Sequence, residues 1–235
     1  MEKLVAYKRM PLWTKETIPE AVQQKHNTKV GTWGKITVLK GTLKFIELTE
    51  DGEEIASHIF EAGAENPMVE PQAWHRVEAA TDDVEWYLEF YCEPKDYFPK
   101  KYNTNPVHSE VLEAVKIVPA GKALDLGCGQ GRNALFLAQH GFEVTAVDQN
   151  ELALEILQSI VEQEDLEMTV GLYDINSAAL TQTYDLIVST VVLMFLQSDR
   201  IPAIIRNMQD QTNPGGYNLI VCAMDTEDYP CQVPF

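Results

Sequence analysis

Three glycines at alternate positions, Gly127, Gly129 and Gly131, separate the apolar run Ala123-Leu-Asp-Leu126 from a helix-periodic segment that opens at Arg132. Glycines spaced in this way let a ligand touch backbone, and free amides at a helix start favour a negative group. The spacing discriminates between ligands. A dinucleotide loop, G-x-G-x-x-G, would need its third glycine at Arg132, whereas the pattern here is Asp125-x-Gly-x-Gly-x-Gly. Three carboxylates then fall at the ends of three successive predicted strands: Asp125, Asp148 (23 residues further on) and Asp174. An open α/β sheet binds its ligand beyond the carboxyl ends of its strands, and an acid at the second strand end accepts ribose hydroxyls. Taken singly, each acid could equally be a loop acid or a helix cap. With the glycine loop they make a site for a nucleoside.

The elements that must position these residues follow from periodicity. Residues 123–126, 144–147, 168–172, 186–189 and 217–223 read as strands. Between them lie predicted helices at 132–140, ended by Gly141; from Asn150, with Leu152, Ile156 and Ile160 on one face; and from Ser198 to about Met208. Asn105 reads as an N-cap with Pro106 at the first position of a further helix that stops before Pro119. Pro214-Gly-Gly216 turns the chain into the fifth strand. Alternating strand and helix means a doubly wound parallel sheet.

Residues 1–92 follow a different pattern. The segments 35–40, 43–48, 54–60 and 84–91 are short, β-branched and aromatic-rich, with turn signals at Lys40-Gly-Thr42 and Glu50-Asp-Gly52. This means a sandwich, jelly roll or barrel. The aperiodic stretch 93–105 reads as a linker and 106–235 as the α/β domain.

The formal net charge of −18 argues against nucleic acid and anionic membrane surfaces as partners. Cys92, Cys128, Cys222 and Cys231 are widely separated, which fits a reducing cytoplasm better than a disulfide framework. No apolar h-region opens the chain and no run is long enough to span a bilayer.

The Asp125-x-Gly-x-Gly-x-Gly motif resembles the first motif of the class I S-adenosylmethionine (SAM) methyltransferases. The runs Leu124-Asp-Leu-Gly-Cys-Gly-Gln-Gly-Arg-Asn133, Ile187-Val-Ser-Thr-Val-Val-Leu-Met-Phe-Leu196 and Gly215-Gly-Tyr-Asn-Leu-Ile-Val221 together resemble the TehB-type tellurite-resistance methyltransferases. His26-Asn-Thr-Lys-Val-Gly-Thr-Trp-Gly34 and Glu70-Pro-Gln-Ala-Trp-His-Arg76 resemble the cupin-like domain associated with them. The resemblance implies an α+β two-domain chain, with a cupin-like jelly roll followed by a Rossmann-like methyltransferase domain. It also implies a sheet of seven strands, where five are counted here, and a tail continuing some tens of residues past Val233-Pro-Phe235. The implied cofactor is SAM, and the implied activity is methylation of oxyanions such as tellurite and selenite.

Carried over by position, Gly127, Gly129 and Gly131 would underlie the methionine part of SAM, with Asp125 supporting its ammonium group. Asp148, with Gln149 beside it, would hold the ribose; Asp174 and Ile175 would flank the adenine; Thr190 and Val191 would edge the methyl group. Lys101 and Tyr102 would close over the cofactor, and Phe195 would wall the methyl pocket or fill the core. A protein this acidic repels an oxyanion at long range, so a local cation must compensate, and Arg132 is the candidate, with cofactor binding as its other reading. His26, His58, His75 and Glu70 could supply metal ligands, but the cupin H-x-H pattern is missing and structural histidines are the expectation. The β domain then reads as a regulatory or oligomerising module. Two other functions remain open: methylation of an organic thiol or other small nucleophile, and a non-catalytic SAM- or metal-binding module.

Overall fold

The computed structural model describes residues 3–223, 226–228 and 230. Cys231 and the terminal Val233-Pro-Phe235 lie outside the described residues. The chain divides into two units, Met1–Lys101 and Tyr102–Phe235. Residues 93–105, expected as a linker, hold a 3-10 turn at Pro94–Asp96 and helix α2 at Tyr97–Tyr102. One buried side chain, Phe98, anchors this short helix, and one position carries no period for the sequence to show.

The first unit consists of β1 (Val5–Arg9), β2 (Trp13–Thr14), a single helical turn α1 (Glu20–Gln23), β3 (Trp33–Lys40), β4 (Thr42–Leu48), β5 (Glu54–Glu61), β6 (His75–Ala79) and β7 (Glu85–Cys92). One antiparallel sheet pairs β1, β2 and β3 with β7; the other has the order β5-β4-β6. Alternation sets the faces. Ile36 and Val38 of β3, Leu43 and Phe45 of β4, Val77 of β6 and Trp86 of β7 all enter one core cluster. Strands β1, β2 and β6 were not expected. Each is five residues or shorter, too brief for a period of two to stand out.

The second unit contains α3 (Ser109–Ala114), β8 (Lys122–Leu126), α4 (Arg132–Gln139), β9 (Glu143–Asp148), α5 (Glu151–Gln163), β10 (Met168–Leu172), β11 (Tyr184–Thr190), α6 (Ile201–Asp210) and β12 (Thr212–Val221). Its five strands pair in parallel in the order β10-β9-β8-β11-β12. The order reverses between β8 and β11, so the ligand crevice of such a sheet lies beyond the carboxyl ends of these two strands.

Local details differ from expectation in four places. His108, not Asn105, caps α3 and accepts the Glu110 N–H. Arg200, not Ser198, precedes α6. Pro214-Gly-Gly216 lies inside β12 as an irregularity: Tyr184 pairs with Thr212, but Leu186 pairs with Tyr217. In α5, Leu152 is 67% exposed and Ile156 37%, while Ala153, Leu154, Leu157, Ile160 and Val161 are buried. Asn150 caps this helix as expected, by accepting the Ala153 N–H. A cap sets where a helix begins, not which way it is rolled. Packing against β9 and β10 sets the roll.

Candidate functional site

The glycine loop leaves β8 and enters α4 with Gly127, Gly129 and Gly131 all at positive φ, a region that costs other residues free energy. The glycines do different work. A Cβ on Gly131 would sit 2.3 Å from Leu157 Cδ1, so this glycine lets the loop pack on α5. A Cβ on Gly129 would meet nothing within 4 Å. Open space therefore borders the loop at Gly129, and a side chain there would project into it.

Asp148 ends β9 and ties this loop to the next helix. Its Oδ2 accepts the Gly129 N–H at 2.8 Å and its Oδ1 accepts the Asn150 N–H at 2.9 Å. Each oxygen keeps a further lone pair. Asp174 starts a 3-10 turn (Ile175–Ser177) and accepts the Asn176 N–H at 3.0 Å; it is exposed while Ile175 is buried. Gln149 is exposed between β9 and the α5 cap.

Asp125, expected to support the ammonium group, is buried near the end of β8. It is 1% exposed and its Oδ2 accepts the Ala134 N–H at 3.1 Å, within the first turn of α4. Burial pushes its pKa up to about 7, against the downward pull of the Ala134 N–H and the Arg132 guanidinium. This carboxyl anchors the helix from below the loop. Burial also pushes the Cys128 thiol up, as befits a small loop residue without thiolate chemistry.

Across the switch point, Thr190 ends β11. Its Oγ1 accepts from Asn133 Nδ2 at 2.9 Å and from Arg132 Nη2 at 3.4 Å. Asn133 is buried, and its Oδ1 accepts the His108 N–H at 3.1 Å. It thus joins α4, β11 and the α3 cap. The sequence reading passed over Asn133 as part of the motif; a polar residue on the inner face of an apolar helix was the signal. Val191 follows at φ +60°, an outlier for a β-branched residue. Its N–H is held by Val221 O at 2.6 Å and its side chain is 41% exposed. Strain of this kind collects at ligand sites.

Of the remaining candidates, Tyr102 lies away from the loop. The Tyr102 hydroxyl donates to Glu164, just past the C-terminal end of α5. Asp148 and Asn150 stand at the other end of that helix, roughly 20 Å away at 1.5 Å per residue, so Tyr102 does not close over the loop. Lys101 donates to the Tyr97 hydroxyl at 2.8 Å within the first unit. Phe195 is 68% exposed, and Leu193 fills the core instead. In the β unit His26 and His75 are neighbours, but His58 pairs with Glu47 and Glu70 accepts from Trp33. Among the described residues no three metal-ligating side chains come together.

The arrangement fits SAM on two counts. The backbone at Gly129 borders open space, and the Asp148 carboxylate has acceptors left for hydroxyls. A parallel sheet ordered in this way, with such a loop and carboxylate at its switch point, defines a Rossmann-like, nucleoside-binding unit of the methyltransferase type. Residues 90–235 match the family "Tellurite resistance protein TehB" and residues 8–88 the TehB-like domain. Over 233 residues the chain is 58% identical to TehB of Haemophilus influenzae, named there a probable SAM-dependent methyltransferase, covering 99% of this chain and 82% of that one. The crystal structure of TehB from that organism superposes with a TM-score of 0.96, covering 99% of this chain and 81% of that one. A protein of Eikenella corrodens named Hemagglutinin 1 is 50% identical over 189 residues, covering 80% of this chain and 63% of that one. The chain belongs to the TehB family of SAM-dependent methyltransferases. No helix among the described residues is long and apolar enough to cross a membrane.

Proposed function

We propose that this enzyme methylates small chalcogen oxyanions, tellurite and selenite, and so contributes to tellurite resistance. The observation that supports this reading is the seating of Arg132: its guanidinium is held on Thr190 beside the switch point, a fixed cation in a chain of net charge −18. An oxyanion needs such a donor, already oriented as its charge shifts. When bound, SAM supplies an electrophilic methyl carbon on a positively charged sulfur. In the proposed arrangement Gly127, Gly129 and Gly131 form the floor of its site, Asp148 and Gln149 receive the ribose, and Asp174 with Ile175 borders the base. Thr190 and Val191 edge the place where the acceptor stands. A tellurium(IV) or selenium(IV) atom brings its own lone pair, so the chain need not supply a general base. Holding that lone pair in line can contribute up to roughly 7–11 kcal/mol. The β unit is read as a cupin-like regulatory or oligomerising module.

Two measurements test the reading. Calorimetry should show SAM binding to the wild-type protein whether or not an acceptor is present. With enzyme, SAM and selenite or tellurite, headspace chromatography should detect methylated chalcogen, and Arg132→Gln should lower that yield while SAM affinity stays within a few fold. Methylation of a small organic thiol without any methylated chalcogen would replace the oxyanion with a thiol acceptor.

A further inference from the structure

The β unit holds a cavity of about 330 Å³, within the usual size range of small-molecule sites. Its charge sets it apart from the rest of the chain. The protein carries 36 acidic residues against 18 basic ones, yet among the described residues Lys8, Lys29 and Lys100 all border this cavity and no Asp or Glu does. Lys100 is fixed in place, its Nζ donating to Val30 O and Thr32 Oγ1 at 2.9 Å each. Lys8 and Lys29 have no acidic partner among the described residues. Part of the lining is apolar, built from Ile36, Val77 and Trp86 of both sheets.

Two histidines complete the lining. His26 and His75 form a mutual backbone bridge, each N–H donating to the other's carbonyl at 3.0 and 2.9 Å. Their rings meet at 4.2 Å between centroids. The Nδ1 atoms lie 3.0 Å from Gln24 O and 2.8 Å from Ala73 O. A carbonyl can only accept, so each Nδ1 carries the proton of its bond. Burial holds His75 down at about 4, and therefore neutral. Paired imidazoles could suggest a metal, but three ammonium groups, with no carboxylate among the described lining residues, oppose a cation. Trp86 adds an indole N–H with no acceptor among the described residues.

We propose that the β unit is a binding module for a small organic carboxylate with an apolar body. The carboxylate meets the lysines, the body lies on the Ile36, Val77 and Trp86 wall, and Nε2 of the neutral His75 ring accepts from any hydroxyl the ligand carries. This site is independent of the SAM crevice and stands whichever methyl acceptor is correct. The test uses the full chain, with ligand-observed NMR and calorimetry against hexanoate and benzoate, hexan-1-ol, and inorganic selenite. Saturable binding of hexanoate or benzoate is expected, at least tenfold tighter than hexan-1-ol. Lys8→Gln and Lys29→Gln together should weaken it at least fivefold and leave SAM binding unchanged. Both side chains are exposed, so these variants should keep the wild-type unfolding midpoint. Absence of carboxylate binding, equal binding of the alcohol, insensitivity to the lysine changes, or displacement of the carboxylate by equimolar selenite would each overturn the proposal.

Discussion

Gly129 and Gly131 share a left-handed backbone but face different surroundings, so they separate binding from folding. At Gly129 a methyl group enters open space. Gly129→Ala should therefore cost about 1 kcal/mol of stability through its positive φ and weaken SAM binding tenfold or more in calorimetry. At Gly131 the same change drives a methyl group onto Leu157; chemical denaturation should show a loss of about 2 kcal/mol or more. Asp148→Ala removes acceptors from the loop and, on the proposed placement, from the ribose. SAM affinity should fall by about 1–3 kcal/mol, and unchanged affinity would contradict that placement. Asp125 governs stability through pH. Its folded pKa lies near 7, above the ordinary value of 3.8, so between these values the folded state binds more protons than the unfolded state. Its contribution to stability is therefore present at low pH and falls as pH rises toward 7. Asp125→Asn should flatten that part of a stability-against-pH curve measured by denaturant unfolding.

Among the elements, the strand ends matter more than the strand centres. Val191 keeps a backbone conformation that a β-branched residue avoids, and the Val221 carbonyl holds it there. Val191→Asn, which tolerates that conformation, should raise the unfolding free energy by about 1 kcal/mol. A lower value would mean that Val191 is not strained. Periodicity in the sequence located the five parallel strands and the Asn150 cap, because apolar runs between helical segments leave few other arrangements. It could not locate the α3 and α6 starts, where His108 and Arg200 precede the helices without strong capping signals. Nor could it detect the irregularity in β12, since Pro-Gly-Gly reads as a turn whether it precedes a strand or lies within one.

At the scale of the whole molecule, net charge affects the rate of encounter. A surface of charge −18 repels an oxyanion until salt screens it, and the Debye length shortens from about 30 Å at 0.01 M to about 8 Å at 0.15 M ionic strength. On the proposed function, kcat/KM for selenite should rise over that range, whereas a neutral acceptor should show little change. The same composition conceals the lysine-lined cavity of the β unit, because residues 8, 29 and 100 are far apart in sequence and become neighbours only through β-sheet pairing and α2.

What the sequence alone determined is the loop: three glycines behind a strand, followed by a helix, with acids at the next strand ends. These signals are local, since φ, capping and hydrophobic period act over a few residues. Only the tertiary structure decided that Asp125 is buried under α4, that Tyr102 bonds at the far end of α5, and that Asn133 links Thr190 to His108. Each depends on which residues distant in sequence share a space, and that is settled by the packing of the sheet and its helices.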